Sequence, residues 1–409
     1  MNCLLLLISS TSALYFQFDT RSGEYTLGPD GSVQYSDVPA WMGTVAVSSG
    51  LTTVNGRVIP RGMQIWTVGS TGYYDMLAGG ASGASFFPSN WIAGRGIVTK
   101  SRQYLQEGET IIILIGMCNT HCDTRYSGGG GGTYISKYAA TDTFDVRSQH
   151  NPLLVAGGGG GISVRDPFAG IDGTLTQSGT KCTFNPPSNA ASNGGGGGAY
   201  GTDGGNGLNG ETYSYFNGGG GGGGGFVGNG GSAAGLSSFG AKSFLRGGRG
   251  GLLDSYSSIC TVVCIPDPTF TCGYNAGGFG GGGEGTAISG GGGGGYSGGQ
   301  GCAAPDYINN FQGSGGGGGG GSYEANAAAT QYTVWDDSQF GPIPASFSNG
   351  YMSLHGIAAV NYPSIIYCAV DTYLTGSTCQ SCVYCDIGKY AKGCGGSTPG
   401  VCSNCTNGF

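Results

Sequence analysis

Residues Gly218–Gly225 are eight consecutive glycines, and near-pure runs recur at Gly128–Gly132, Gly157–Gly161, Gly194–Gly198, Gly290–Gly295 and Gly315–Gly321, with a shorter one at Gly280–Gly283. A backbone that lacks Cβ atoms over such lengths has two fates. Ordering costs roughly 1–2 kcal/mol per residue and glycine loses the most freedom, so an isolated run is slack linker. Packed side by side in polyproline II geometry, the runs point their N–H and C=O groups outward, where close neighbours can satisfy them. Two features favour the packed fate. The runs nearly lack the serine that flexible linkers tolerate. Each long run is also followed, within about two residues, by an anchor: Tyr134, Ile162, Tyr200, Phe226, Tyr296 or Tyr323. At ~3.1 Å per residue, such a run spans roughly 15–25 Å, one layer of a compact bundle. Run starts are spaced by 29, 37, 24, 72 and 25 residues, which excludes a solenoid built on one repeat.

Glycine accounts for 91 of 409 residues, yet no Gly-X-Y period accompanies it and prolines number only 15, so a collagen helix is excluded. Aromatic residues at 11% argue against simple disorder. With a net charge of −7 and no cluster of Lys and Arg, the chain offers no basic face for nucleic acid or anionic lipid.

The regions flanking the glycine runs read differently. Residues 14–127 alternate short β-rich runs, such as "MQIWTVGS" and "ETIIILIGM", with Gly, Asn, Pro and Asp punctuation and no helical period. This pattern predicts the first part of an antiparallel β-sandwich. Residues 128–322 hold the glycine runs, and 323–362 return to strand character as closing strands. A cysteine-dense module occupies 368–409.

The opening "MNCLLLLISSTSA" has an apolar stretch, Cys3–Ile8, before a Thr11-x-Ala13 cleavage pattern, so residues 1–13 read as a signal peptide. No later stretch reaches the ~18 apolar residues that span a bilayer. The expected location is extracellular, either secreted or as the ectodomain of a longer cell-surface protein. Outside that leader the 14 cysteines are disulfide candidates: Cys118, Cys122, Cys182, Cys260, Cys264, Cys272, Cys302, Cys368, Cys379, Cys382, Cys385, Cys394, Cys402 and Cys405. The spacing leaves their connectivity open. His121, His150 and His355 are scattered, which argues against zinc. One N-glycosylation acceptor is present, at Asn404.

The ordered succession "YLQEGETIIILIGM", "GGGGGTYISK", "NPLLVAGGGGG", "SNGGGGGAYG" and "GGGGGGYSGG" resembles the glycine-rich extracellular domain of the anaplastic lymphoma kinase and leukocyte tyrosine kinase receptor family, over roughly residues 20–360. The resemblance implies a tumour-necrosis-factor-like antiparallel β-sandwich with an inserted bundle of polyglycine II helices, and a closing strand from Ser346–Val360. It also implies an extracellular protein ligand. No kinase signature occurs in these residues, so the family's catalytic activity is not carried over. The tail, "CQSCVYCDIGKYAKGCGGSTPGVCSNCTNGF", is similar to the small disulfide modules of ephrin-receptor and tumour-necrosis-factor-receptor ectodomains. Because such modules usually come in arrays, a longer ectodomain or a truncated product is expected.

Catalytic patterns have plain alternatives. Gly218, Gly220 and Gly223 match a dinucleotide-binding fingerprint only because any glycine run does. Ser297 sits in "GYSGG", a nucleophile-elbow pattern, but without the strand-turn-helix setting. Asp203, Asn206, Asn209 and Glu211 offer oxygen donors for calcium, at a spacing that fits an Asx-rich turn better. The aromatic cluster from Tyr73 to Trp91 reads either as sandwich core or a cover over the glycine bundle, or as a binding patch. The expected function is therefore a non-catalytic extracellular recognition module without cofactor or metal. The alternative is a secreted structural, matrix or adhesion protein built on a rigid glycine scaffold.

Overall fold

The computed structural model describes residues 15–18, 23–24, 28–29, 35, 38–84, 93–118, 128–139, 150–162, 169–184, 219–232, 238–253, 276–286, 289–302, 315–326, 328–333, 340, 344, 347–352, 355–362, 372–375, 378–381, 389–392 and 401–404. The chain forms two units, Met1–Asn361 and Tyr362–Phe409. The fold is mainly β. Among the described residues no helix is long and apolar enough to cross a membrane.

Twelve strands of the first unit build two antiparallel sheets. In chain order they are β1 (Tyr15–Gln17), β2 (Thr44–Val47), β3 (Gln64–Thr67), β4 (Gly72–Gly79), β5 (Gly96–Leu105), β6 (Thr110–Leu114), β7 (Thr133–Tyr138), β8 (His150–Ala156), β9 (Tyr323–Glu324), β10 (Phe347–Ser348), β11 (Tyr351–Met352) and β12 (Ile357–Asn361). Sheet I runs β1-β12-β4-β5-β11-β10 and sheet II runs β9-β8-β7-β6-β3-β2. Strand β8 of sheet II lies against β4 and β5 of sheet I, the face-to-face arrangement of a sandwich.

The sequence of β6, Thr110-Ile-Ile-Ile-Leu114, is continuously apolar because both faces of sheet II are covered. On the inner face Trp66, directly opposite Ile111, meets Tyr74 of sheet I edge-on at 5.3 Å between ring centroids. On the outer face Ile65, Ile112, Leu114, Tyr134 and Val155 pack against Phe226, Phe244 and Phe279, all from the glycine-rich segment. The composition boundary at residue 128 is therefore not a structural one. Strands β7 and β8 lie beyond it and complete sheet II, because sheet II needs their apolar pairs, such as Ile113 with Ile135. The segment expected as one closing strand, Ser346–Val360, instead makes the β10–β11 hairpin and then β12, which inserts between β1 and β4. Asn349 (φ 49°) and Gly350 (φ 81°) turn the hairpin, and that turn divides the segment.

Glycine runs continue from strand ends: Gly128–Gly132 leads into β7, Gly157–Gly161 leaves β8, and Gly315–Gly321 leads to β9. Their hydrogen bonds recur every third residue. Gly129 N–H donates to Gly283 O and Gly132 N–H to Gly280 O, both at 2.9 Å. Gly158 and Gly161 donate to Gly294 and Gly291. Gly290 and Gly293 donate to Gly315 and Gly318, so neighbours run in both relative directions. Amides between these positions turn to other neighbours, as Gly130 does to Gly159 and Gly131 to Met117. The backbones lie so close that a Cβ at Gly131 would stand 1.6 Å from Phe279 O. Gly315 and Gly316 themselves form a short ladder with Thr183–Phe184.

The second unit contains two antiparallel hairpins among its described residues, Thr372–Thr375 with Thr378–Ser381 and Lys389–Lys392 with Val401–Asn404.

Candidate functional site

Tyr73 and Tyr74 are adjacent on β4, so their side chains take opposite faces. Tyr74 is fully buried and donates its hydroxyl to Ser70 O at 2.5 Å, whereas Tyr73 is 48% exposed. The two expectations for the aromatic cluster thus divide between neighbouring residues: Tyr74 is core and Tyr73 surface. The cluster's second half, from Phe86 to Trp91, lies outside the described residues.

On the same outward face the β4–β5 register stacks cross-strand pairs in rungs. Tyr73 lies opposite Tyr104, Asp75 opposite Arg102, and Leu77 opposite Lys100. The tyrosine rings meet edge to face at 5.2 Å, with Tyr104 53% exposed. Arg102 donates from Nε and Nη2 to the two carboxylate oxygens of Asp75 at 2.7 and 2.8 Å. That bidentate bond raises the Arg102 guanidinium further above its ordinary value. Lys100 Nζ sits 5.3 Å from the Phe340 ring centroid and 5.6 Å from that of Tyr332. Toward the Lys100 end, Leu77, Val98 and Phe340 form a small core with Tyr332 packed against it. Between this sheet face and Glu324 with residues 330–332 opens a groove of about 280 Å³, lined by Asp75, Lys100, Arg102, Glu324, Gln331 and Tyr332 among others. Gln331 Nε2 donates to the Asn349 and Gly350 carbonyls at 3.2 Å, which fixes its amide. The groove did not emerge from the sequence, although "TKSRQYL" carries Lys100, Arg102 and Tyr104 at the period-two spacing of one strand face.

Four of the anchors that follow the glycine runs, Tyr134, Phe226, Tyr296 and Tyr323, meet in one place; Ile162 is buried, and Tyr200 lies outside the described residues. Tyr134 stacks on Phe244 at 5.1 Å, Phe244 on Phe226 at 4.9 Å, and Phe226 contacts Tyr296 at 6.1 Å, which stacks on Tyr323 at 4.5 Å. Tyr134 donates its buried hydroxyl to Gly295 O at 2.9 Å, and burial raises its pKa. His150 lies edge-on to Phe244 at 5.3 Å, and burial pushes its imidazole down to about 4. His355 Nδ1 accepts from the Cys118 amide at 3.2 Å and lies 3.4 Å from Cys118 Sγ. Burial lowers the His355 pKa too.

Of the run starts, Gly128, Gly157, Gly290 and Gly315 are buried. Gly194 and Gly218 lie outside the described residues, though Gly219–Gly225 is described and Gly220 and Gly223 bond to Cys302 O and Gly299 O. Ser297 is fully buried in the glycine layer, and Gly321 donates to its carbonyl. That setting supplies no exposed nucleophile at Ser297. Cys182 and Cys302 form a disulfide that closes a separation of 120 residues, and Cys118 is also disulfide-bonded. Cys379 and Cys402 lie on the hairpin strands of the second unit. The candidates Cys122, Cys260, Cys264, Cys272, Cys368, Cys382, Cys385, Cys394 and Cys405 lie outside the described residues, as do His121 and the loop Asp203–Glu211. Asn404 ends a strand of the second unit.

Sequence reasoning also missed Glu284, the one charge within Gly277–Gly285. Its carboxylate rests so near the backbone that a Cβ at Gly221 or Gly251 would come within 2.5 or 2.0 Å of it. Likewise, Gly79–Ala84 joins the glycine layer through Ala81 N–H, which donates to Gly131 O at 2.8 Å, and through Gly159, which donates to Ala81 O. Its sequence, "GGASGA", held the signal in its small side chains rather than in a pure run. Among the described residues no group of three or more His, Cys, Asp or Glu side chains could hold a metal. Neither protein-family models nor curated proteins gave a match to the chain.

Proposed function

We propose that this chain is a non-catalytic extracellular recognition module, in which a rigid glycine layer and its sandwich hold a binding face in fixed geometry. The observation that carries the proposal is the outward β4–β5 face. Tyr73, Tyr104 and Arg102 are half-exposed there, on a sheet whose opposite face is locked by Tyr74 and Trp66. Tyr and Arg dominate binding hot spots because they bury much area at low entropic cost. The glycine layer fits polyglycine II helices: hydrogen bonds recurring every third residue match a helix of three residues per turn. The antiparallel sandwich fits the tumour-necrosis-factor-like reading, and the Cys182–Cys302 bridge fits an oxidising compartment. The relationship to the receptor tyrosine kinase ectodomains, the signal peptide at residues 1–13 and the cysteine-rich module belong to the same proposal.

The test is secretion followed by cell binding. The full chain, expressed in a secreting host, is expected in the medium with its N-terminus after Ala13, and fluorescently labelled protein is expected to bind intact cells saturably. Tyr73→Ser with Tyr104→Ser is expected to abolish that binding with folding intact. Retention in the cytosol with reduced cysteines would overturn the extracellular reading. Saturable binding that ignores the double variant would move the site elsewhere. Self-assembly into insoluble fibres without cell binding would favour the matrix alternative.

A further inference from the structure

We propose that the β4–β5 groove binds a neutral saccharide, with one pyranose ring seated between the Asp75–Arg102 pair and the segment carrying Glu324, Gln331 and Tyr332. The inference rests on the recognition reading above and names the ligand class for that face. Sugar recognition depends on matching donors and acceptors. A sugar hydroxyl both donates and accepts, so a pyranose ring needs carboxylate or carbonyl oxygens interleaved with N–H donors over a short distance. The groove supplies them: Asp75 and Glu324 accept, Lys100 and Arg102 donate, and Gln331, whose Nε2 is committed to two carbonyls, offers its amide oxygen as a further acceptor.

Its formal charge is zero, two carboxylates against two cations. A phosphate, sulfate or uronate would meet Glu324 as a like charge, which disfavours an anionic ligand. At about 280 Å³ the groove falls just under the ~300–1,000 Å³ of pockets for drug-sized apolar ligands, and its lining is mostly polar and charged. That composition suits a hydroxylated ring better than a hydrophobic one.

Position and rigidity support the same ligand. The exposed Tyr104 ring is one rung beyond Arg102 on the same face, where its face or edge can pack against the C–H groups of the next sugar along a chain. The polar groups are held before any ligand arrives. Arg102 is clamped by both oxygens of Asp75, and Gln331 is fixed by two carbonyls. Lys100 lies over two rings. Groups already immobilised lose little entropy on binding, which matters most for a ligand as strongly hydrated as a sugar.

The test is calorimetric titration of the full chain, disulfides intact, with methyl glycosides of glucose, galactose, mannose and N-acetylglucosamine, and with methyl glucuronide as the anionic probe. At least one neutral glycoside is expected to bind in the millimolar range. Glu324→Gln is expected to weaken it at least tenfold while thermal unfolding is unchanged, Tyr104→Ala to weaken the corresponding methyl disaccharide but not the monosaccharide, and Leu51→Ser, at an exposed position outside the groove lining, to leave binding intact. Absence of binding by every neutral glycoside would overturn the inference, as would a preference for the glucuronide or monosaccharide binding that survives Glu324→Gln. Glycosidase-treated cells separate this inference from the recognition reading. Cell binding that persists after treatment and is lost in the Tyr73/Tyr104 double variant would assign the face to a protein partner. Loss of cell binding on treatment, with competition by the neutral glycoside, is the result expected here.

Discussion

Around Trp66 the protein is held by side chains; around Gly293 it is held without any. Trp66 is fully buried, donates its indole N–H to Met42 O at 2.6 Å and touches Tyr74. Burying a large apolar side chain contributes about 1.5–3 kcal/mol, in addition to the backbone hydrogen bonds that Trp66 shares with its strand neighbours. Gly293 has only its backbone, which donates to Gly318 O at 2.8 Å and accepts from Gly299. A hydrogen bond nets roughly 0.5–1.5 kcal/mol, about what ordering a glycine costs. Per residue the glycine layer therefore breaks even at best. Its stability has to come from what borders it: the aromatic column from Tyr134 to Tyr323 and the Cys182–Cys302 bridge. One region is stabilised throughout its volume, the other at its margins.

The sharpest way to break this comparison is to place the same methyl group in different settings. Gly131→Ala drives a Cβ to 1.6 Å from Phe279 O, an atom of rigid backbone, so the layer has to separate. The expected loss exceeds ~4 kcal/mol, read as failure to recover folded, secreted protein. Gly56→Ala, in the Asn55-Gly56 hairpin turn, meets nothing within 4 Å and strains only its φ of 77°, for a cost of about 1–2 kcal/mol by thermal unfolding. Equal effects at the two positions would mean that the runs are not closely packed.

Phe244→Ala comes next. It removes the centre of the aromatic column, where Tyr134, Phe226 and His150 converge, and is expected to cost about 3–5 kcal/mol in denaturant unfolding. Hydrogen exchange in this variant should quicken at the amides of Gly224 and Gly295 more than in β6. Uniform quickening would show that the two regions are one cooperative unit. The paired substitution Cys182→Ser with Cys302→Ser is expected to cost roughly 2–4 kcal/mol, again with the faster exchange confined to glycine amides such as Gly220 and Gly318.

A pH dependence is expected at the boundary between the regions. The His150 imidazole titrates at about 4 in the folded protein, against ~6.5 unfolded. Between those values the unfolded chain binds a proton that the folded chain does not, so stability is full above pH ~6.5 and falls as pH drops toward 4. The loss is roughly 2–3 kcal/mol. His150→Gln should flatten that slope in unfolding curves taken from pH 7 to 4. An unchanged slope would place the acid sensitivity elsewhere, with the buried His355, whose pKa is also lowered, as the next position to test.

What the sequence revealed differs between the two regions for a related reason. The β-branched run of β6 and short apolar runs such as "MQIWTVGS" are local signals, so those strands were legible. The anchors Tyr134, Phe226, Tyr296 and Tyr323 were visible as residues that a linker has no use for. Their convergence on Phe244 was not, since that depends on which runs become neighbours. Identical residues carry no pairing code. Gly79–Ala84 escaped notice because alanine and serine dilute the glycine signal while still allowing close approach on the side where the chain is bare. The groove was hidden because Asp75, Arg102 and Glu324 are far apart in the chain and meet only through the register of β4 with β5 and the return of β9.

The three-residue recurrence of the glycine hydrogen bonds also sets a rule for how such a chain can change length. A deletion of three glycines advances a run by one full period, so every surviving amide again faces an equivalent carbonyl. A deletion of one rotates the rest of the run out of phase and turns each remaining amide toward the wrong neighbour. The glycine layer thus acts as a ratchet with a pitch of three, indifferent to whole steps and intolerant of fractions. The side chains at its ends act as the pawl that selects one tooth.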